Sequence, residues 1–240
     1  AYSRFINLDN VDKFIFYSMI GAEMKPPKNW IKVNPNKNKY AIFSDPINET
    51  NNTDIFKRTK EEGRKKFNFS NDKFIIGFFG SSKYVRGLDI LVKAIPYLDK
   101  NIFVAISSTI SEDAERLNID WSFLNNNNVY FRNGSKEGYL SEEDMGLFFS
   151  AIDVMVLPFR KTYIYGSSGL PPQVSIAKKL MVLPDIYPYN YMIDNYMLGE
   201  KFETEDPESL ANAINSIYKK SDYYYNRAKF DDYNKILSTL

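Results

Sequence analysis

The sequence predicts an α/β protein built on a doubly wound parallel sheet, and three observations carry this prediction. From residue 73 onward, short apolar runs alternate with stretches that repeat apolar residues at helical spacing. The apolar runs are continuous rather than alternating, which is typical of strands buried on both faces. Turn residues such as Gly80, Pro158 and Pro184 end the runs. Such strands, with helices between them, form a parallel sheet that helices cover on both faces.

The predicted strands and helices follow one another in a regular order. The strands cover residues 74–79, 102–106, 129–131, 154–157 and 180–183. A helix is predicted after the first strand, where Leu88, Leu91 and Ile95 share one face, and others over residues 111–118, 141–152 and 172–178. A last amphipathic helix begins at Asp206-Pro207, since proline suits the first helical turn.

The chain divides into three predicted regions. Residues 55–220 hold the α/β domain. Residues 1–54 form an N-terminal extension with strand candidates at 14–17 and 40–43, and the charged stretch 51–72 predicts a helix that connects it to the domain. Residues 221–240 are rich in Tyr, Lys and Asp and predict a C-terminal helical tail.

Composition excludes several classes of function. The net charge of +1 gives no broad electrostatic attraction for nucleic acid or an anionic membrane. The chain has no cysteine, which excludes disulfides and thiol catalysis, and no histidine, which excludes a Ser-His-Asp triad and a histidine-based zinc site. No stretch approaches about 18 continuous apolar residues and no secretory signal is visible. We therefore expect a cytoplasmic protein, either free or peripheral to a membrane.

Two loops of small residues follow predicted strands and open predicted helices. One is Gly80-Ser81-Ser82-Lys83-Tyr84-Val85-Arg86-Gly87, and the other is Tyr165-Gly166-Ser167-Ser168-Gly169-Leu170. Backbone N–H groups at a helix N-terminus lack partners within the helix, and the helix dipole favours negative charge there. Ligands of parallel sheets bind at the carboxyl ends of the strands, where both loops would lie. The loops therefore predict a diphosphate site, with Lys83 and Arg86 as its cations.

The order of these pieces resembles the C-terminal, nucleotide-sugar-binding half of GT-B glycosyltransferases, in particular the large retaining family 4. The resemblance covers roughly residues 55–220 and rests on an ordered set of segments rather than on one motif. The segments are Gly80, Arg86-Gly87-Leu88-Asp89, Val129-Tyr130-Phe131-Arg132-Asn133-Gly134, Ala151-Ile152-Asp153-Val154-Met155-Val156-Leu157-Pro158, the loop 166–169 and Asp206-Pro207-Glu208-Ser209-Leu210-Ala211.

The resemblance implies roles for residues of the first loop. The family follows a strand-end glycine with an arginine and then with Lys-Gly, and these two cations hold the donor diphosphate. Arg86-Gly87 stands at the Lys-Gly place, which keeps the charge. Ser81 stands at the place of the arginine, so that cation is missing and Lys83 is the candidate to replace it. We expect Arg86 and Lys83 to act in catalysis and Gly80, Ser81, Ser82 and Gly87 to line the donor site.

The second loop departs further from the family pattern. The family carries two glutamates, the second of which binds the donor ribose, and by register they fall on Gly166 and Val174. The serines that remain still offer amides and hydroxyls to phosphate. Asn133 follows the strand whose end the family uses to seat the base. The remaining residues expected to bind the donor are Asn133, Tyr165, Gly166, Ser167, Ser168, Gly169 and Leu170.

The resemblance implies an enzyme, or the donor-binding half of one, that transfers a sugar with retention of configuration. The donor would be a UDP- or GDP-sugar and the acceptor a glycan, lipid or protein. No metal or other cofactor is expected, and the sequence offers no cluster of metal ligands. Only about fifty residues precede the connecting segment, so we expect a remnant of the acceptor domain there. A longer chain, a partner domain or self-association would supply the rest.

Two other classes of function remain open from the sequence. One is a non-catalytic module that binds nucleotide sugars or carbohydrate, which the absent glutamates favour. The other is a different doubly wound protein that binds a nucleotide or phosphate. A dinucleotide-dependent dehydrogenase is disfavoured, since Gly77-x-x-Gly80 lacks the third glycine and the acidic residue at ribose spacing.

Overall fold

A computed structural model describes residues 14–16, 40–42, 53–110, 117–165, 168–187 and 189–238. The strands are β1 Phe14–Phe16, β2 Tyr40–Ile42, β3 Phe74–Ser81, β4 Ile102–Thr109, β5 Val129–Asn133, β6 Val154–Val156, β7 Leu180–Pro184 and β8 Gly199–Phe202. The α-helices are α1 Lys60–Phe67, α2 Leu88–Ala94, α3 Gly134–Glu137, α4 Glu142–Ala151, α5 Leu170–Ile176, α6 Tyr189–Tyr196, α7 Pro207–Lys219, α8 Ser221–Arg227 and α9 Phe230–Ser238. Short 3-10 helices lie at Thr53–Lys57, Tyr84–Arg86, Ile95–Tyr97, Trp121–Asn125 and Lys161–Tyr165.

Six strands form one parallel sheet in the order β5-β4-β3-β6-β7-β8, which confirms the predicted doubly wound fold. The chain adds β4 and β5 on one side of β3 and then returns to add β6, β7 and β8 on the other side. The strand order therefore reverses between β3 and β6, where Ile76 pairs with Val154. A crevice opens at the carboxyl ends of the strands at such a switch point, and ligands of this fold class bind there.

Continuous apolar sequence gives the central strands two buried faces. All residues of β6 and β7 are buried, and β3 and β4 contribute buried residues on both faces. The amphipathic helix α7 turns Leu210, Ile214 and Ile217 toward the sheet, as its periodicity predicted. Among the described residues, no helix has the length and apolar character that crossing a lipid bilayer requires.

A buried ion pair joins the amino ends of β3 and β6. Arg64 of α1 is 1% exposed and donates from Nη2 to Asp153 Oδ2 at 2.9 Å and from Nε to the Ala151 carbonyl at 3.1 Å. Asp153 also accepts the Ile75 backbone N–H at 2.7 Å and pairs with the Lys60 ammonium group. The pair is satisfied on all sides, so it holds α1 against the sheet at the end opposite the crevice.

Lys179 adds a further cation at this end of the sheet. Its Nζ donates to the Ser150 carbonyl at 2.9 Å. Burial lowers the pKa of Lys179 to about 8, and the attraction of Asp153 opposes this shift only in part. Desolvation therefore disfavours the charged form of Lys179 in the folded protein.

Several elements differ from the sequence-based expectation. Helix α6 was not predicted. Strand β8 was not predicted either, because the segment Gly199–Phe202 has little apolar character and lies at the sheet edge. Strand β3 includes Gly80 and Ser81, and α5 begins at Leu170 rather than near Pro172. The strand predictions at 14–17 and 40–43 are confirmed as β1 and β2, which pair in parallel. Residues 111–116 of the predicted helix at 111–118 lie outside the described residues.

Candidate functional site

Three segments meet around the crevice between β3 and β6. The first is residues 82–87, which follow β3 and are called the cation loop below. The second is residues 157–163, which follow β6. The third is the start of α5 at Ser168, Gly169 and Leu170. The sequence-predicted loops thus lie at the same end of the sheet, because Arg86 of one contacts Ser168 of the other.

The cation loop is a tight turn packed against the chain that follows β6. The Arg86 N–H donates to the Lys83 carbonyl at 2.8 Å, and the Gly87 N–H donates to the Tyr84 carbonyl at 3.2 Å. Gly87 has a φ of +70°, and a Cβ atom there would lie 2.0 Å from the Pro158 carbonyl oxygen. Only glycine fits this position, for both conformational and steric reasons.

Arg86 is the cation that the fold places in the crevice. Its Nη1 donates to Ser168 Oγ at 3.0 Å. Its guanidinium carbon lies 5.3 Å from the ring centre of Phe159 and 5.0 Å from that of Tyr163, so two aromatic rings also hold it. A guanidinium has five N–H donors. Ser168 Oγ is the acceptor that Arg86 meets among the described side chains, which leaves donors for an anionic ligand.

The start of α5 offers a hydroxyl and open space rather than a row of amides. Ser168 is buried, and its Oγ also accepts the Leu170 N–H at 3.3 Å. Pro171 and Pro172 follow and have no N–H. Gly169 has a φ of −68°, and a Cβ atom there would meet no atom of the described residues within 4 Å. Neither backbone conformation nor packing against the described residues therefore explains this glycine.

The other first-loop residues differ in what they can offer a ligand. Gly80 has a φ of +131° and lies beside Leu170, whose Cδ1 is 3.9 Å from the place of a Cβ. Ser81 is the last residue of β3 and is half-buried. Ser82 is buried, and its N–H donates to the Thr109 carbonyl at 2.8 Å, so this amide is not available to phosphate. Lys83 is exposed at the rim.

Asn133 lies at the carboxyl end of β5, two strands from β3, a distance of about 10 Å. Its Oδ1 accepts the Ser135 N–H at 3.0 Å, and its own N–H donates to Glu137 Oε1 at 2.9 Å. Its side chain therefore caps α3 and shapes the turn after β5. A Cβ atom at Gly134 would lie 2.8 Å from Thr109 Cγ2, so this turn packs against the end of β4.

The remaining predicted residues lie at or beyond the edge of the described chain. Tyr165 ends the 3-10 helix Lys161–Tyr165. Gly166 and Ser167 lie outside the described residues. Val174, at the register place of a family glutamate, is fully buried in α5. This position therefore faces the core and supplies no polar group to the crevice.

Sequence reasoning missed Arg160, which lies beneath the cation loop and is only 7% exposed. Its Nη1 donates to the Tyr84 carbonyl, its Nη2 to Asp89 Oδ2 at 2.7 Å and its Nε to Glu205 Oε1 at 2.8 Å. Its backbone N–H donates to the Val85 carbonyl at 3.0 Å, and its guanidinium lies 3.9 Å from the Tyr84 ring centre. The signal in the sequence was a cation soon after the strand that borders the switch point.

The electrostatics around Arg160 keep it charged. Burial alone would lower the pKa of Arg160, but the hydrogen bond and charge of Asp89 raise it overall. Asp89 Oδ2 also lies 3.7 Å from the Lys93 ammonium group, whereas Asp89 Oδ1 is buried and finds no hydrogen-bond partner among the described atoms. The cation under the loop is therefore permanent and firmly paired.

The chain matches the family described as glycosyl transferases group 1 over residues 59–235. The chain belongs to this family. The match spans all six strands of the central sheet and most of the C-terminal helices, including the crevice and its cations. Among curated protein sequences, none matches this chain.

Several solved structures share the fold of this chain. Sucrose-phosphate synthase from Thermosynechococcus elongatus is 17% identical, with a TM-score of 0.71 over 97% of this chain and 55% of that chain. The C-terminal domain of LpcC, a glycosyl transferase group 1 family protein from Francisella tularensis, is 16% identical, with a TM-score of 0.60 over 78% of this chain and 96% of that chain. HepE from Anabaena in complex with UDP and glucose is 12% identical, with a TM-score of 0.66 over 95% of this chain and 62% of that chain.

The family match and these shared folds together support the expected C-terminal domain of a GT-B glycosyltransferase. This chain covers 96% of the LpcC domain, which is a C-terminal domain. The shared fold therefore corresponds to the C-terminal part of such proteins. The chain spans just over half of the length of the sucrose-phosphate synthase. The likeness therefore concerns a fold and one domain, while substrates and activity need arguments from the site.

Proposed function

We propose that this chain is the donor-binding part of a retaining glycosyltransferase of the family 4 type, and that it binds the diphosphate of a UDP- or GDP-sugar in the β3–β6 crevice. The observation that carries the proposal is the position of Arg86. Ser168 and two aromatic rings hold its guanidinium at the switch point, near Gly169, where a Cβ atom would meet none of the described atoms within 4 Å. A held guanidinium suits a phosphate because it can donate two parallel hydrogen bonds.

The spacing of the strands suits the rest of the donor. From β5 to β6 the sheet runs over three strand spacings, about 14 Å. A nucleoside diphosphate that lies along this edge would place its base at the turn Asn133–Gly134 and its diphosphate at Arg86. Lys83 on the rim would meet the distal phosphate. We assign the phosphate contacts to these side chains, since α2 and α5 are short and the Ser82 amide is already bonded.

In the proposed reaction the bond between the sugar C1 and the diphosphate oxygen breaks, and the acceptor oxygen bonds to C1 on the same face. The acceptor proton passes to the departing phosphate oxygen, so no protein base is needed. Arg86 stabilises the negative charge that develops on the leaving diphosphate, assisted by Lys83. We expect no divalent metal in this role, because the two cations supply the charge, and binding of UDP should therefore be unchanged in EDTA.

Acceptor binding is proposed to need residues beyond the described domain. Water in an open donor site would screen the charges and compete with the acceptor. We therefore expect the 240-residue chain to hydrolyse the donor sugar slowly and to form little glycoside, until the rest of a longer chain, a partner domain or self-association closes the crevice.

Calorimetric titration with UDP, GDP, UMP and GMP tests the proposal. We expect at least one nucleoside diphosphate to bind measurably, and its monophosphate to bind at least about tenfold more weakly, because the second phosphate adds charged contacts with Arg86 and Lys83. The proposal fails if no nucleoside diphosphate binds, or if the monophosphate binds equally well.

A non-catalytic module that binds nucleotide sugars is the second candidate. The observation that favours it is the buried Val174, which leaves the family's ribose carboxylate absent. Turnover separates the two functions. Slow hydrolysis of a bound UDP- or GDP-sugar, lost in the Arg86→Ala variant, supports the enzyme, and tight binding without hydrolysis supports the module.

A further inference from the structure

Arg160 ties together three segments that are distant in the sequence. Through its side chain and backbone N–H it bonds the carbonyls of Tyr84 and Val85, which are two of the three residues in the turn that carries Arg86. It also bonds Asp89 in the first turn of α2 and Glu205 in the turn between β8 and α7. The shape of the cation loop therefore depends on a residue of the segment after β6.

The planar shape of the arginine side chain is what makes this arrangement work. Nε, Nη1 and Nη2 donate in three directions at once, to Glu205, Tyr84 and Asp89. The face of the guanidinium meanwhile stacks on the Tyr84 ring at 3.9 Å. A lysine would keep the charge, but its single ammonium group cannot reach three acceptors that lie around a plane.

Glu205 extends the network to the turn between β8 and α7. Its φ of +66° is uncommon for a residue with a side chain, and it is compatible with a turn that directs the carboxylate inward. The Glu205 side chain is 46% exposed, whereas that of Arg160 is 8% exposed. The network therefore runs from the surface of this turn through Arg160 to the cation loop.

We propose that Arg160 is a positioning residue for the donor diphosphate, that it acts through Arg86, and that Glu205 holds it in place. This inference rests on the proposed donor-binding function. Without the bond from the Arg160 side chain to the Tyr84 carbonyl and the stacking on the Tyr84 ring, only the backbone bond to Val85 links Arg160 to the turn. The turn is then held less firmly, and Arg86 meets Ser168 and the two rings together for less of the time. Diphosphate affinity then falls although Arg86 itself is unchanged.

A double-mutant cycle on the full 240-residue chain tests this. UDP, or GDP if that binds better, is titrated into the wild type, Arg160→Lys, Arg86→Ala and the double variant. We expect Arg160→Lys to weaken nucleotide binding about tenfold when Arg86 is present. In the Arg86→Ala background the same substitution should weaken binding less than about twofold. Glu205→Gln should weaken binding by a smaller factor, about threefold, because a neutral acceptor remains.

The matched control is Arg64→Lys. Arg64 is also a buried arginine that bonds a carboxylate and several backbone carbonyls, but at the amino ends of β3 and β6. The Arg64→Lys variant should lower the midpoint of thermal unfolding, as Arg160→Lys does, but it should leave the dissociation constant for UDP or GDP unchanged. Equal losses of affinity in the two variants would show a general effect of stability and would overturn the inference.

Hydrogen exchange of the Arg86 and Gly87 amides separates this inference from the proposed function. These amides donate to carbonyls within the turn, so Arg160→Lys should speed their exchange relative to amides of β4, and Arg64→Lys should not. Unchanged exchange in Arg160→Lys, or unchanged affinity while the wild type binds UDP or GDP, refutes the role of Arg160. Failure of the wild type to bind any nucleoside diphosphate refutes the proposed function, and the exchange result alone then decides whether Arg160 orders the loop.

Discussion

Replacement of Arg86 by alanine should weaken the binding of UDP or GDP more than it lowers the free energy of unfolding. In the free protein the change removes one hydrogen bond to Ser168 and the contacts with the rings of Phe159 and Tyr163. Together these contribute about 1–2 kcal/mol to the free energy of unfolding. In the complex the change also removes a charged hydrogen bond to phosphate, about 1.5–3 kcal/mol, so the dissociation constant for UDP or GDP should rise about 10- to 150-fold.

Calorimetric titration measures the affinity and urea denaturation measures the stability of the same samples. Arg227→Ala is the matched control, because Arg227 also lies on a tyrosine ring, that of Tyr223 at 5.1 Å, but on α8 and away from the crevice. It should leave the dissociation constant unchanged. Arg86→Lys should lie between wild type and Arg86→Ala, since it keeps the charge and loses the paired donors. A dissociation constant within twofold of wild type in folded Arg86→Ala would refute the assignment of Arg86 to the donor site.

Further substitutions test the geometry of the crevice and the buried cation below it. Gly87→Ala should lower the free energy of unfolding by about 2–5 kcal/mol in urea titrations, since the left-handed backbone and the contact with the Pro158 carbonyl both oppose a Cβ. Gly169→Ala should change stability by less than about 0.5 kcal/mol but weaken diphosphate binding, and unchanged affinity would mean that no phosphate lies beside Gly169. Ser168→Ala should weaken binding about three- to tenfold by releasing Arg86, as titration of UDP or GDP would show. The folded-state pKa of Lys179 lies below its unfolded value of 10.5, so the unfolded state binds more protons above about pH 8, and the free energy of unfolding should rise with pH there relative to Lys179→Met.

Strands buried on both faces could be predicted from the sequence, whereas the edge strand β8 could not. The runs that became β3, β4, β6 and β7 are apolar throughout, because both of their faces meet helices. Strand β8 is Gly-Glu-Lys-Phe, in which Glu200 and Lys201 are half-buried at the sheet edge. No periodicity of apolar residues marks four residues of this kind.

The cations of the site were only partly readable. Arg86 could be placed because it lies in a loop of small residues after a strand and stands with Gly87 at the family's Lys-Gly place. Arg160 was overlooked, since Pro158 marks the end of the strand and a charge beyond it is typical of a solvated loop. Its burial follows from Tyr84 and Asp89 after β3 and from Glu205 after β8, which the folded chain brings together from two other segments. The hydrogen bond from the Ser82 N–H to the Thr109 carbonyl could not be predicted either. It depends on the register of β3 against β4, which also arises only in the folded chain.

The reversal of strand order at the crevice has a consequence for the time course of folding. Phe74 pairs with Ile102 and Val104 with Val129, so one half of the sheet can form from neighbouring parts of the chain. The pairing of Ile76 with Val154 closes a far longer loop, and contacts of high sequence separation form slowly. During synthesis the ribosome therefore releases Arg86 well before Arg160 and Ser168 exist to hold it. A nucleotide added to a refolding chain should bind only after this last central pairing, which makes ligand capture a kinetic reporter of the moment when the two halves of the sheet join.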